Sequence, residues 1–319
     1  MYTPRENFLH FLRGEDYEWT PTNQDQLMFR PAAIPEHIVR GSVMQQIPYP
    51  GPFGGKDLFG VEWVYEPQVK GCIETAPLFD DISDWREALV FPDVDSYGWA
   101  ECAEASKEYL ATDKLKTTTL YTGYYERLIS FVGFENAAIA MIDDEAEDDI
   151  NEIFTRLTDL YISLIVRYKK WFGVELVELH DDWGTQISTM FSPATHREKI
   201  LPHLRRLTAA AREAGVLVQM HSCGCIGTLI PAMLESGVVT WLGQAVNDKR
   251  ALVEQYGDRF RFGVSIWPDD KMSDDEALAY AESIIRKYEG RDVWFSLAKA
   301  LSPAQKKAIA DLLRARPQP

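Results

Sequence analysis

Apolar residues recur with a period near 3.6 through Ile150, Ile153, Phe154, Leu157, Leu160, Tyr161, Leu164, Ile165 and Tyr168. That spacing predicts one long helix with a single buried face over residues 146–171. Gly173 stands where a helix-terminating glycine belongs. The pattern then changes to a short apolar run, Glu175-Leu176-Val177-Glu178-Leu179-His180, which predicts a strand. The same alternation runs along most of the chain, with strands expected over 117–122, 175–180, 216–221, 238–242, 260–266 and 292–297.

Helix signals fill the gaps between them. Ser192-Pro193 reads as an N-cap followed by proline at the first helical position. Pro202 falls inside that helical stretch and predicts a break or kink. Helices are expected over 228–236 and 250–256. Ser273 with Glu276, and Ser302-Pro303 with Gln305, form capping boxes for the last two.

Strands alternating with helices imply a parallel sheet. Six strands follow residue 117, and a further one is expected near residues 19–25. A closed barrel and an open doubly wound sheet both fit this order. The absence of a Gly-rich dinucleotide fingerprint after any strand weighs against the open sheet. The expectation is therefore a single-domain (β/α)8 TIM barrel over residues 1–319. Residues 31–95, rich in Gly, Pro and aromatics as in Pro48-Tyr49-Pro50-Gly51-Pro52-Phe53-Gly54-Gly55, read as an insertion within it, either a lid or a packed excursion.

Composition narrows the partners. Lys and Arg number 33 against 49 Asp and Glu, a formal charge of −16. That balance argues against nucleic acid and against an anionic membrane surface. No apolar run reaches the ~20 residues of a membrane span, and the N-terminal residues show no signal-peptide core. With four cysteines, Cys72, Cys102, Cys223 and Cys225, a reducing cytoplasmic setting is expected, where thiols serve metals or catalysis.

In a barrel the reactive groups stand at the C-terminal ends of strands. Along Val177-Glu178-Leu179-His180-Asp181-Asp182-Trp183-Gly184-Thr185-Gln186 the alternation sends Glu178, His180 and Asp182 inward, where ionisable groups must pair or bind something. The bland alternative is that Asp181 and Asp182 cap a turn and His180 is a satisfied core histidine. In Gln219-Met220-His221-Ser222-Cys223-Gly224-Cys225, His221 and Cys223 share one face and offer half a tetrahedral zinc site. Cys225 is either a further thiol or the start of the next helix. Tyr124 and Tyr125, after Gly123, either wall a pocket for a flat ligand or pack beneath the loops. Gln244, at a later strand end, is a candidate of the same kind.

These blocks together resemble the uroporphyrinogen-decarboxylase superfamily. The blocks are Gly123-Tyr124-Tyr125-Glu126-Arg127 with Gly133-Phe134-Glu135-Asn136, Asp181-Asp182-Trp183-Gly184-Thr185-Gln186 with Ser192-Pro193, and His221-Ser222-Cys223-Gly224 with Leu229-Ile230-Pro231 and Glu235-Ser236-Gly237-Val238. Gly55-Lys56-Asp57-Leu58-Phe59-Gly60-Val61-Glu62-Trp63 fits as well. The superfamily holds decarboxylases of haem synthesis and corrinoid-dependent methyltransferases, all on a (β/α)8 barrel. The decarboxylases' arginine-rich N-terminal block is missing from Gln24-Asp25-Gln26-Leu27-Met28-Phe29-Arg30-Pro31, so the resemblance favours the methyltransferase branch.

By that resemblance, the chain moves a methyl group between a small substrate, such as a methoxylated aromatic, and the cobalt of a separate corrinoid protein. His221 and Cys223 would be the first two zinc ligands. The later cysteine of that branch is absent, since the last strand reads Trp294-Phe295-Ser296-Leu297-Ala298. Glu178, Asp182 or Cys225 is left to complete the set. Asp181, Asp182 or Glu178 would serve the metal or the proton, and Tyr124, Tyr125, His180, Trp183, Gln186 and Gln244 the substrate. The rival readings are a metal-free decarboxylase-like lyase and a non-catalytic barrel that binds a corrinoid or a partner. The oligomeric state is open, with a homodimer allowed.

Overall fold

A computed structural model describes residues 2–40, 53–68, 71–269 and 271–315. Ten strands form among them: β1 (Gln26–Met28), β2 (Gly54–Lys56), β3 (Glu62–Glu66), β4 (Gly71–Glu74), β5 (Leu115–Leu120), β6 (Leu176–His180), β7 (Leu217–His221), β8 (Thr240–Trp241), β9 (Arg261–Ile266) and β10 (Val293–Leu297). Seven of these make one curled parallel sheet in the order β1-β5-β6-β7-β8-β9-β10. Helices connect its strands, as parallel pairing requires. Beyond its two edges, Thr22 forms a parallel bridge with Phe295 of β10, and Phe295 N–H donates to Pro21 O over 2.9 Å.

The long amphipathic run folds as Glu147–Phe172. Its apolar face, Ile150 to Tyr168, is buried, and Gly173 closes it at φ +68° with its N–H on Lys169 O. This helix packs on Leu201–Glu213. Ahead of Pro202 the helical path carries a π turn over His196–Ile200, the local adjustment that the proline imposes.

Two strands depart from the sequence pattern. The first begins at Gln26 rather than within 19–25, because Thr22 and Asp25 form a capping box that winds Asn23–Asp25 into a 3₁₀ turn. β8 keeps only two of its expected residues. Just beyond it the buried Lys249 ammonium donates to Gly243 O and Gly263 O, 3.1 Å each, at the point where β8 and β9 would otherwise go on pairing.

The 31–95 insertion lies between the neighbours β1 and β5. It contains the helix Pro35–Val39 and an antiparallel sheet, β2-β3-β4. Pro48 to Pro52 of its Gly/Pro-rich stretch lie outside the described residues. No helix among the described residues is long and apolar enough to cross a membrane.

Candidate metal centre and substrate cavity

β6 and β7 run in register so that His180 pairs with His221 across the ladder. Side chains at paired positions point to the same face, and the two imidazoles stack with centroids 4.3 Å apart and planes 17° apart. Asp182 follows on the same face. One ligand atom from each of His180, Asp182 and His221 lies within 4.8 Å of the others. Cys223 Sγ sits 3.6 Å from His221 Nε2, and Asp182 Oδ1 sits 3.9 Å from it. Sequence alternation anticipates Asp182, His221 and Cys223 here. His180, expected at the substrate, joins them.

Each member is held by a partner of its own. His180 Nδ1 lies 2.8 Å from Glu126 Oε2, which leaves Nε2 for the cluster. Burial alone would discharge His180, but the Glu126 carboxylate raises it to about 9. Glu126 is itself drawn down to about 2: burial opposes ionisation, and the His180 charge and hydrogen bond overcome it. Burial, and then the charge on His180, push His221 down. Burial and Asp182 push the Cys223 thiol well up. Asp182 Oδ1 also accepts the Cys223 backbone N–H over 2.6 Å, tying the loop after β6 to the loop after β7.

Those loops touch through glycine backbone. A Cβ on Gly224, where φ is +81°, would lie 2.2 Å from the Gly184 carbonyl carbon. Cys225 N–H donates to Thr185 O over 2.7 Å, and Gly224 N–H donates to Gln244 Oε1 over 2.9 Å. Of the other expected ligands, Cys223 stands beside the three-residue cluster but outside it, and Glu178 and Cys225 stand outside it as well.

The end of β5 carries strain. Thr122 has φ +61°, a conformation costing a β-branched residue about 1–3 kcal/mol. Arg40 Nη1 donates to its Oγ1 over 2.7 Å, and Tyr161 OH donates to its carbonyl over 2.8 Å. Arg40 also reaches Glu126 Oε1, 3.7 Å away, and stacks 4.0 Å from the Trp63 ring of β3. The insertion is thus connected, through Arg40 and Glu126, to His180.

His180 and His221 open into a cavity of about 770 Å³. Glu178 and Gln219 line it one layer lower and bond to each other, Gln219 Nε2 donating to Glu178 Oε2 over 2.8 Å. Tyr121, Trp267, Tyr280 and Trp294 give aromatic walls, and Gln244 stands at the rim. Arg30 is the one lysine or arginine in the lining among the described residues. Reading of the sequence missed Arg30 and the three aromatics beyond β8. Arg30 and Trp267 lie just past the ends of β1 and β9, a signal the sequence offered, whereas Trp294 stands at the start of β10 and Tyr280 within the helix Asp274–Lys287, where no strand-end signal points.

Five expected site residues lie elsewhere. The Asp181 carboxylate is fully buried and accepts the N–H groups of Tyr124 (2.9 Å), Tyr125 (3.2 Å) and Glu126 (2.9 Å), capping the helix Tyr124–Val132. The chain enters that helix at once after Gly123, and this turns both tyrosines away from the cavity. Tyr124 packs on Phe154 and bonds Thr158, and Tyr125 packs on Phe191. Trp183 is buried against His196. Gln186 is exposed and outside the lining.

The fold matches that of a methyltransferase from Methanosarcina mazei, with a TM-score of 0.71, 16% identity and 98% of each chain covered. That agreement in fold is consistent with the family resemblance read from the sequence. A sugar phosphate isomerase/epimerase from Parabacteroides distasonis ATCC 8503 aligns with a TM-score of only 0.37, at 11% identity, over 70% of this chain and 84% of that chain. No protein-family model and no curated protein matches the chain.

Proposed function

We propose that the chain is a methyltransferase that moves a methyl group between a small substrate and the cobalt of a separate corrinoid protein. The observation that carries this reading is the cluster of His180, Asp182 and His221, with Cys223 beside it, at the head of an aromatic-walled cavity. Agreement with a methyltransferase along the whole length of the fold supports it. In this reading the curled sheet is a closed (β/α)8-type barrel within one domain, completed by the bridge from Thr22 to Phe295.

The donors fit zinc. Imidazole, thiolate and carboxylate are its usual ligands, and a set of three or four with an adjoining cavity leaves room for a substrate atom. His180, Asp182, His221 and Cys223 would hold the ion. Bound there, zinc supplies Lewis acidity toward the leaving heteroatom of the methyl donor.

The chain's own groups do the rest. Glu126 fixes the ring of His180, as carboxylates behind metal-binding histidines do. Asp182 holds the Cys223 backbone in place. Glu178, bonded to Gln219 and facing the cavity, is positioned to exchange a proton with the substrate. Tyr121, Trp267, Tyr280 and Trp294 exclude water from the substrate, with Gln244 at the rim. The described part of the insertion meets the site through Arg40, which bonds Thr122 and reaches Glu126. A porphyrinogen decarboxylase would need several cations for its many carboxylates, and Arg30 alone is a weak fit to that task.

The test is methyl transfer. Purified protein supplied with zinc is mixed with cob(I)alamin and a panel of methoxylated aromatics and methylamines, and methylcob(III)alamin is followed by its absorbance. The expected result is protein-dependent methylation from at least one donor, lost in His221→Ala. Release of carbon dioxide from a tetrapyrrole acid, with no methylation from any donor, contradicts the reading.

A further inference from the structure

Arg30 ends the segment that follows β1 and lines the cavity. Its Nε and Nη1 are buried and meet no hydrogen-bond partner. None of the described acidic residues pairs with it. Its guanidinium carbon lies 5.3 Å from the centroid of the Tyr121 ring. That stacking is favourable, but it leaves the N–H groups without an acceptor. Four residues earlier, at the start of β1, Gln26 also lines the cavity and has a buried amide nitrogen with no partner.

An arginine does not escape burial by losing its proton. A guanidinium with Nε and Nη1 buried and no anion beside them is costly, and the neighbourhood makes it worse. Lys299 is close enough to Arg30 for the two charges to repel. The positive spot is conspicuous in a chain of net charge −16, which repels anions at long range. The groups also stand in order around the cavity: Arg30 after β1, Tyr121 after β5, then His180 and His221 ending β6 and β7. Tyr121 and His180 have ring centroids 5.9 Å apart, so a single ring separates the unpaired cation from the metal-binding cluster.

We propose that the cavity takes a small substrate bearing a carboxylate, received by Arg30, its body lying along Tyr121 and its far end at His180 and His221. The planar fork of a guanidinium matches a carboxylate edge to edge. That the far end carries the transferable methyl group rests on the methyltransferase reading; the carboxylate subsite does not.

Benzoate and its neutral isostere benzamide are the probes, titrated by calorimetry into wild type, Arg30→Gln and Arg30→Lys, before and after zinc is supplied. Wild type binds benzoate at least tenfold more tightly than benzamide. Arg30→Gln weakens benzoate by roughly tenfold to a hundredfold, the loss expected for a charged hydrogen-bonded pair. It leaves benzamide unchanged, and Arg30→Lys falls between. In the absence of benzoate, Arg30→Gln melts at or above the wild-type temperature, because an unpaired buried cation has gone.

Four outcomes overturn the proposal: no benzoate binding to wild type, equal affinity for benzoate and benzamide, competition by inorganic phosphate as effective as by benzoate, or a large fall in melting temperature in Arg30→Gln. Arg30-dependent benzoate binding without any methyl transfer sinks the methyltransferase reading and leaves the subsite standing. Methyl transfer from neutral donors, indifferent to Arg30, does the reverse.

Discussion

His180 and His221 face each other at 4.3 Å, yet only one of them is set up to carry charge. Glu126 raises His180 to about 9, while burial and the His180 charge push His221 down. Two stacked imidazolium rings would repel, and the pair avoids this by dividing the roles. Without a metal, His221 is the neutral ring, with a lone pair beside Asp182 and Cys223; a metal at the cluster would have to displace the proton from His180 Nε2, since ligation requires a free lone pair.

Glu126 is therefore the residue that orients the cluster from behind. Glu126→Gln replaces the carboxylate on His180 with a weaker, ambivalent partner. Zinc affinity should fall by about 10–100-fold, the usual effect of losing such a support, as read by competition with a chromophoric chelator. Unchanged affinity would show that the His180 orientation does not depend on Glu126.

Asp181 should matter for stability. Asp181→Ala strands three buried N–H groups at the start of Tyr124–Val132. The expected loss is about 2–4 kcal/mol in urea unfolding. Asp181→Asn keeps one acceptor oxygen and should lose less. A stability change below about 0.5 kcal/mol for the alanine variant, the range of an ordinary surface substitution, contradicts the capping role.

Arg127 is fully buried between two acids, with Nη1 2.6 Å from Asp57 and Nη2 in direct contact with Glu36. Burial opposes its charge, and the two carboxylates hold the proton on. Removing one side of a buried ion cluster leaves charge without compensation. Arg127→Leu should cost about 3–5 kcal/mol and loosen Pro35–Val39 and the Asp57 turn together, visible as faster amide exchange in both. Slow exchange retained in either segment would separate them.

Gly224 tests the contact between the two site loops. Alanine there combines a positive φ with a clash at 2.2 Å from the Gly184 backbone. Gly224→Ala should lose about 2–5 kcal/mol, and its zinc affinity should fall because Cys223 moves. A wild-type unfolding midpoint would mean that the loops separate without cost.

Much of this arrangement is written in periodicity. The helix over 147–172 and the strands β5, β6, β7, β9 and β10 follow from apolar spacing alone. The shift of β1 and the shortening of β8 arise from side chains acting on backbone at a distance, Asp25 on Thr22 and Lys249 on two carbonyls, which a window of hydrophobicity does not register. The antiparallel β2-β3-β4 sheet is hidden for another reason, since its strands are short, β2 is mostly glycine, and Trp63 is their one buried residue. Within the site, alternation along β6 and β7 marks Glu178, Asp182, His221 and Cys223. It says nothing of Tyr124 and Tyr125, whose directions depend on a helix beginning one residue earlier. Arg30 stands just past β1, but its lack of a partner is seen only in three dimensions.

The central claim is that His180, Asp182, His221 and Cys223 form one metal site. The most direct test is elemental analysis of purified wild type and His221→Ala after zinc is supplied and excess removed. About one zinc per wild-type chain is expected, as a single three- or four-donor site holds, and a large loss in His221→Ala with the fold intact by circular dichroism. Absence of zinc from the wild type, or equal zinc in the variant, contradicts it.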